Sequence, residues 1–221
     1  MLAYKELKNG FDLALENARD LFDEAKGLAI FEHYSRAYTL YQLSIEEVGK
    51  CIILLRALIE GSLGVNIDSH YLRLLGYFDH QSKTKTSLGA ESVMLQFFEK
   101  STGHDITEFL KELKYDAQHV KDINALKNES LYVGFNGNKF VAPKSVITKE
   151  MVEDIAFKAD IRIHAIIPMF PTEEQLDEIV EFFKQNENEL SISISNNSKL
   201  LSCAIFGSTH TIGFESNLSE F

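Results

Sequence analysis

The chain has 221 residues, of which 45% are hydrophobic, and this is enough apolar material for one folded domain of ordinary size. Its 33 acidic side chains outnumber its 22 basic ones, and the resulting charge of -11 disfavours indiscriminate binding to DNA or RNA. The longest apolar run, Cys51 to Leu55, is too short for a membrane span, and the N-terminus lacks the pattern of a secretory signal. We therefore expect a cytoplasmic protein without membrane contact, in which any nucleic acid binds to a local basic patch.

The first sixty residues carry two long helical patterns. Apolar residues alternate in steps of four and three from Leu7 to Leu28, and the first helix is predicted to end near Gly27. The same alternation runs from Tyr34 to Ile59 before Gly61 interrupts it. These patterns predict two long helices that are joined by a short turn and pack as an antiparallel hairpin.

Residues 61–104 differ from the preceding part, because glycines interrupt short helical patterns there, and we predict a helical insertion or connecting region. Asp105 and Glu108 have the spacing of a helix N-cap and its partner, which predicts a third core helix that ends near Lys127. Beyond it, Asn136-Gly137 lies between two short apolar runs and favours a loop or a small hairpin.

Two further helices are predicted from their capping residues. Thr148 can cap a fourth helix that ends at Pro168, and Thr172 with Gln175 forms a capping-box pattern for the next helix. The predicted fold is mainly α, a bundle of four to five core helices over residues 1–186 with the insertion between the second and third helices. Residues 187–221 are rich in Ser and Asn and are predicted to form an irregular or short-strand tail.

The second predicted helix contains the segment Ser44-Ile-Glu-Glu-Val-Gly-Lys50. Helical spacing of four places Glu46 beside Lys50, with Glu47 pointing elsewhere. This pair is either an ordinary exposed ion pair or a functional one, because the stretch Cys51 to Leu55 that follows is apolar all round and is expected to be buried or at an interface. The same stretch predicts a symmetric homodimer.

A basic island in this acidic chain contains Arg73, His80, Lys83 and Lys85, with two aromatic residues inside it. An imidazole that exchanges protons near neutral pH, flanked by cations that hold phosphate, is what metal-free RNA cleavage needs. The alternative is a solvated linker that contains an isolated histidine. Both interpretations remain open on the pattern alone.

A metal site finds little support in the sequence. Asp116 and His119 lie three residues apart on the third predicted helix and could join Glu46 or Glu47, but di-iron bundles need such a pair on each of two helices and this chain has one. Cys51 and Cys203 lie in different contexts and indicate neither a disulfide nor a zinc site. We predict no metal, no cofactor, and a core position for Cys51.

Several of these motifs, taken in order, resemble the AbiV abortive-infection proteins of the HEPN superfamily. The resemblance covers roughly residues 7 to 170 and rests on Asn17-Ala18, Arg36-Ala37-Tyr38, Glu46-Glu47-x-Gly49-Lys50, His80-x-x-Lys83 and Leu131-Tyr132-Val133. It implies a HEPN-type helical bundle, commonly a homodimer, with a role in stopping phage multiplication at the expense of the infected cell. The tail past residue 187 is not covered by it.

The resemblance also implies roles for particular residues. Many HEPN proteins are metal-independent ribonucleases with four to six residues between an Arg and a His, and Arg73 and His80 enclose six. Their Arg is usually followed by a polar residue, whereas Leu74 follows it here. As a ribonuclease activated on infection, the protein would use His80 as general acid/base, Arg73 and Lys83 to hold phosphate, and Glu46 with Lys50 to orient the site.

The second hypothesis is a non-enzymatic effector in which the same charged residues recognise RNA, a host protein or a phage protein. A phage-encoded activator protein is a further expected partner. Residues predicted to contribute to binding under either hypothesis are Glu47, Lys85, Asn17 and Tyr132. Because the resemblance treats them as one set, we expect Glu46, Lys50, His80 and Lys83 to converge in space although they are far apart in sequence.

Overall fold

The computed structural model describes residues 2–88 and 117–185 of the chain. Helices α1 (Tyr4–Ile30) and α2 (Tyr34–Ser62) pack side by side along most of their length. They run antiparallel, because Ser44 bonds to the carbonyl of Ala18 while Cys51, further along α2, faces that of Phe11. The predicted hairpin is confirmed, with α1 extending past Gly27.

Helix α2 forms the centre of the bundle, and other elements cover it on more than one side. The stretch Cys51 to Leu55 is at most 5% exposed at any residue, so it is buried within a single chain. It therefore offers no surface to a second subunit, and the reason that the sequence suggested for a homodimer is wrong. Cys51 is a core residue as predicted, and burial raises the pKa of its thiol.

The described part of the predicted insertion contains two short helices. Helix α3 (Ser69–Leu74) is capped by Asp68, whose carboxylate accepts a hydrogen bond from the Tyr71 backbone N–H at 2.8 Å. Helix α4 covers the described residues 80–88. The remainder of the insertion and the predicted Asp105–Glu108 cap lie outside the described residues.

Helix α5 (Ala117–Leu131) continues one turn beyond the predicted end at Lys127. A small antiparallel hairpin follows, with strands β1 (Gly134–Asn136) and β2 (Lys139–Val141), and Gly137 in its turn adopts a positive φ of 60°. This φ is one that glycine accommodates without strain. The predicted hairpin is thus present and projects from the end of α5.

Helices α6 (Lys149–Ile166) and α7 (Glu173–Gln185) complete the described bundle. Thr148 caps α6 by accepting from the Met151 N–H, and the predicted capping box of α7 is formed reciprocally by Thr172 and Gln175 at 2.9 and 3.2 Å. Within residues 2–88 and 117–185, no helix is long and apolar enough to cross a membrane. The predicted tail over 187–221 lies outside the described residues.

The core divides into two clusters along α2. One cluster joins the C-terminal half of α2 to α1, to the C-terminal end of α6 and to the first half of α7, and it includes Phe11, Leu55, Ile163 and Leu176. The other joins the N-terminal half of α2 to α6 and includes Tyr38, Tyr41, Ile45 and Ile155. The remaining side of α2 is polar, and the candidate site lies there.

Candidate functional site

The site is built around the carboxylate of Glu46, which is 1% exposed in the middle of α2. Its Oε1 accepts a hydrogen bond from Lys127 Nζ on α5 at 2.6 Å. Its Oε2 lies 2.5 Å from His80 Nδ1 and 3.7 Å from Lys83 Nζ, both on α4. Three segments that are distant in sequence therefore meet at one buried charge.

The polar side of α2 explains why Glu46 points inward. Residues spaced by three and four along this side bond to the helices that cover it: Gln42 donates to Thr84 at 3.1 Å, and the hydroxyls of Thr39 and Ser130 lie 2.7 Å apart. Buried polar groups cost free energy unless they are paired, and these are paired across helices. This arrangement fixes the positions of α4 and α5 relative to Glu46.

Gly49 allows α4 to approach α2 closely. A Cβ atom at this position would lie 2.1 Å from the carbonyl oxygen of Lys83, a separation that non-bonded atoms do not adopt. The glycine of the Glu-Glu-x-Gly-Lys motif therefore provides the clearance that brings His80 and Lys83 to Glu46. The close helix contact gives this motif a structural explanation.

The start of α4 holds His80 in place. Asp79 caps the helix, with its Oδ2 accepting from the Ser82 backbone N–H at 2.6 Å. Hydrogen bonds from the Ser82 side chain and backbone lower the pKa of Asp79 from its ordinary value. The preceding turn requires Gly76, which has a φ of 86° and would bring any Cβ within 2.4 Å of the Ser82 Cβ.

His80 connects the buried carboxylate to the surface. Its side chain is 59% exposed, whereas that of Glu46 is 2% exposed. With Nδ1 engaged by the carboxylate, Nε2 is the ring nitrogen left to accept or release a proton. A carboxylate that fixes one imidazole nitrogen and leaves the other to a substrate is the arrangement used in general acid–base catalysis.

Two buried lysines, Lys83 and Lys127, lie beside the single carboxylate of Glu46. Lys83 and Lys127 are 6% and 7% exposed, so each carries its charge into the interior. Burial lowers the pKa of Lys83, and the neighbouring carboxylate of Glu46 opposes that effect. Because Lys83 is packed beside Glu46, its position suits support of the carboxylate better than the contact with an external phosphate that the sequence suggested.

Lys50 does not pair with Glu46 as the helical spacing predicted. Its Nζ bonds to Glu47 at 2.6 Å and lies 5.7 Å from the centre of the Tyr77 ring. Glu46 turns toward α4 and α5 because two lysines and a histidine meet it there, and this leaves the partly exposed Glu47 as the partner of Lys50. The convergence of Glu46, His80 and Lys83 is thus observed, with Lys50 in an adjacent pair.

The other predicted site residues lie outside this cluster. Arg73 is exposed, and its guanidinium carbon lies 5.0 Å from the centre of the Phe78 ring. Asn17 and Lys85 are also exposed, and Tyr132 lies 63% exposed just past α5. Across the described residues, none of these four makes a hydrogen bond or an ion pair with Glu46.

Of the residues considered for a metal site, His119 is exposed on α5 and Asp116 lies outside the described residues. The part of the chain that the structure describes contains no group of three His, Cys, Asp or Glu side chains placed to hold a metal ion. His119 therefore does not share a described site with Glu46, which is surrounded by cations instead.

Lys127 is a site residue that the helical pattern alone does not single out, because the predicted third helix ends there. The signal was nevertheless present, since Lys127 follows the buried Val120 by seven residues and so continues the buried stripe of α5. A lysine on a buried stripe needs a counter-charge. Glu46 provides it.

The chain matches a known protein family. A family model described as AbiV, of the HEPN type, matches residues 6–163, which include Glu46, His80, Lys83 and Lys127. No curated protein matches the chain, and no solved structure does so either. The match covers most of the chain and contains all four residues of the buried cluster.

Proposed function

Because the chain belongs to the AbiV family of HEPN proteins, we propose that it is an abortive-infection effector that cleaves RNA without a metal and uses His80 as general base. The observation that carries this proposal is the buried Glu46 carboxylate, held by two lysines, that faces a mostly exposed imidazole at 2.5 Å. Such a carboxylate orients the ring and stabilises the imidazolium that forms when the ring takes up a proton.

The proposed reaction needs no group beyond the side chains and water. His80 Nε2 removes the proton from a ribose 2′-hydroxyl, and that oxygen forms a bond to the adjacent phosphorus. The bond from phosphorus to the 5′ oxygen breaks, and the departing oxygen takes a proton from water. The hydroxide that remains takes up the proton held by His80, which restores both the water and the neutral imidazole. The products are a 2′,3′-cyclic phosphate and a free 5′-hydroxyl, while an exposed cation such as Lys85 stabilises the phosphate.

Cleavage can be tested by incubating purified protein with total RNA in the presence of a chelator, with and without a phage lysate. We expect the wild-type protein to cut RNA under one of these conditions and His80→Ala to lose on the order of a hundredfold or more in rate. His70→Ala is the matched control, because His70 is exposed on α3 and lies outside the cluster. RNA left intact by the wild-type protein under all conditions would remove the nuclease proposal.

A second candidate function is a non-enzymatic effector that recognises a host or phage component. The position of Arg73 favours it, because this residue stacks on Phe78 and makes no ion pair or hydrogen bond with the Glu46–His80 pair among the described residues. In that case His80 would anchor a charged partner. His80→Ala would then abolish protection from phage, although neither the wild-type protein nor the variant cleaves RNA.

A further inference from the structure

The hairpin that follows α5 displays an unusual aromatic surface. Phe135 and Phe140 face each other across the two strands with ring centres 5.0 Å apart, yet they are 64% and 81% exposed. Tyr132 and Val133, immediately before β1, are 63% and 66% exposed. Large apolar side chains grouped on a surface in this way commonly mark a binding site.

The charge of this segment is opposite to that of the whole protein. Residues 131–146 contain two lysines, Lys139 and Lys144, and no acidic residue, although the chain carries a charge of -11. Both lysines are exposed, and neither forms an ion pair with a residue in the part of the chain that the structure describes. The hairpin therefore combines aromatic faces with cations, which is what single-stranded nucleic acids bind.

The size of the patch argues against a second copy of the chain as its occupant. With about 150–250 Å² for each aromatic side chain, the exposed apolar area of these four residues is roughly 500 Å². A standard interface between proteins buries about 800 Å² on each partner. The patch is too small to hold a dimer by itself, but it is large enough to stack one or two bases.

The hairpin is also held near the candidate site. It leaves the last turn of α5, where Lys127 bonds to Glu46 and Ser130 lies 2.7 Å from Thr39. Thr39 and Glu46 are seven residues apart on α2, or about 10 Å along the helix axis. This is the separation along α2 between the contact at the base of the hairpin and the buried carboxylate.

We propose that the hairpin is a docking surface for single-stranded RNA, in which Phe135 and Phe140 stack on bases while Lys139 and Lys144 contact phosphates. The proposal rests on the proposed function for its choice of RNA as the ligand. Stacking contributes sequence-tolerant affinity, whereas the lysines contribute affinity that weakens with salt. The two contributions can therefore be measured separately.

The test uses a short fluorescein-labelled single-stranded RNA and the full chain carrying His80→Ala, so that the RNA stays intact. Replacing both Phe135 and Phe140 by Leu should weaken binding about tenfold or more without changing its salt dependence. Replacing Lys139 and Lys144 by Ala should lower the slope of log affinity against log salt by about 0.7 for each phosphate that is no longer neutralised. Phe157→Leu, at another exposed phenylalanine, should leave binding unchanged.

Leucine keeps the hairpin apolar but removes the flat ring, so circular dichroism should show an unaltered fold. Unchanged binding by the Leu variant, or equal binding of a duplex of the same sequence, would overturn the proposal. A Leu variant that loses self-association in light scattering while it still binds RNA would also overturn the proposal. The patch would then be a contact between copies of the chain. None of these binding measurements depends on cleavage. A wild-type protein that binds RNA without cutting it would therefore contradict the proposed function and leave the docking proposal in place.

Discussion

At the scale of single residues, the site depends on how one buried carboxylate is stabilised. Removing a charge from water costs several kcal/mol unless partners replace the lost hydration. Glu46 has Lys127 at 2.6 Å and Lys83 at 3.7 Å, and these two lysines are themselves buried. The three groups therefore stabilise one another. Removing any one of them leaves a buried charge with fewer partners, and this destabilises the folded protein.

Lys127→Met should destabilise the protein by about 2 kcal/mol. A hydrogen bond to a charged group contributes about 1.5–3 kcal/mol, and Lys83 remains as a counter-ion, so the loss should fall short of the roughly 3–5 kcal/mol expected for an uncompensated buried charge. Urea unfolding gives the free energy directly. The control is Lys121→Met, at an exposed position of the same helix. This substitution should change the free energy of unfolding by less than about 0.5 kcal/mol.

Glu46→Gln should be more damaging than Lys127→Met, because it leaves two buried lysines without a carboxylate. The expected loss is roughly 3–5 kcal/mol, measured in the same urea experiment. If Glu46→Gln proved as stable as the wild-type protein, the buried cluster would contribute no net stability. The proposed support of His80 by an ionised carboxylate would then lose its basis.

At the scale of secondary structure, the site depends on the contact between α2 and α4. Ala is favoured over Gly within a helix by about 1 kcal/mol, so a glycine in the middle of α2 needs a compensating reason. The 2.1 Å approach of the Lys83 carbonyl to a Cβ at Gly49 supplies it. His80 and Lys83 reach Glu46 only while this approach is kept.

Gly49→Ala should therefore shift α4 and lower activity on the order of a hundredfold, because misplacement by about 1 Å is enough to disturb catalysis. Overpacking should also destabilise the fold by about 1–3 kcal/mol, which outweighs the gain in helix propensity. RNA cleavage and urea unfolding measure the two effects. Gly27→Ala is the control, because no atom lies within 4 Å of a Cβ at this position in α1. The free energy of unfolding of this variant should stay the same or rise.

Asp79→Ala should destabilise the protein by about 1 kcal/mol at pH 7 through loss of the α4 cap, whereas Asp79→Asn keeps the capping oxygen. Because the pKa of Asp79 is lowered in the folded protein, the ionised cap stabilises fully above its ordinary value of 3.8, and this contribution is lost as pH falls through the folded pKa. The gap between wild type and Asp79→Ala in urea unfolding should therefore narrow on acidification. A gap that widens below pH 3.8 would contradict this role.

Much of this architecture could be predicted from the sequence, because helix periodicity and capping residues are local signals. They indicated α1, α2, the Thr148 cap and the Thr172–Gln175 capping box. The partner of Lys50 could not be derived in this way, because a helix offers it Glu46 and Glu47 at similar range. The choice is made by α4 and α5, which draw Glu46 inward.

At the scale of the whole molecule, the helical bundle holds an exposed histidine against a buried charge and keeps an aromatic hairpin nearby. The elements that supply these groups are α2, α4, α5 and the hairpin, and they are fixed by packing and by polar contacts between helices. Groups that are held by several rigid elements keep a precise geometry. His80, the proposed general base, is largely exposed and can therefore be altered without opening the core.

The role of His80 in protection can be measured by phage plaque formation on cells that express the wild-type protein, His80→Ala or His70→Ala at matched levels. His80 is largely exposed, so its removal should change stability by only about 0.5 kcal/mol, which thermal melts would verify. We expect His80→Ala to melt normally and to lose protection, while His70→Ala protects like the wild type. A His80→Ala protein that melts normally and still protects cells would show that His80 has no part in the defence.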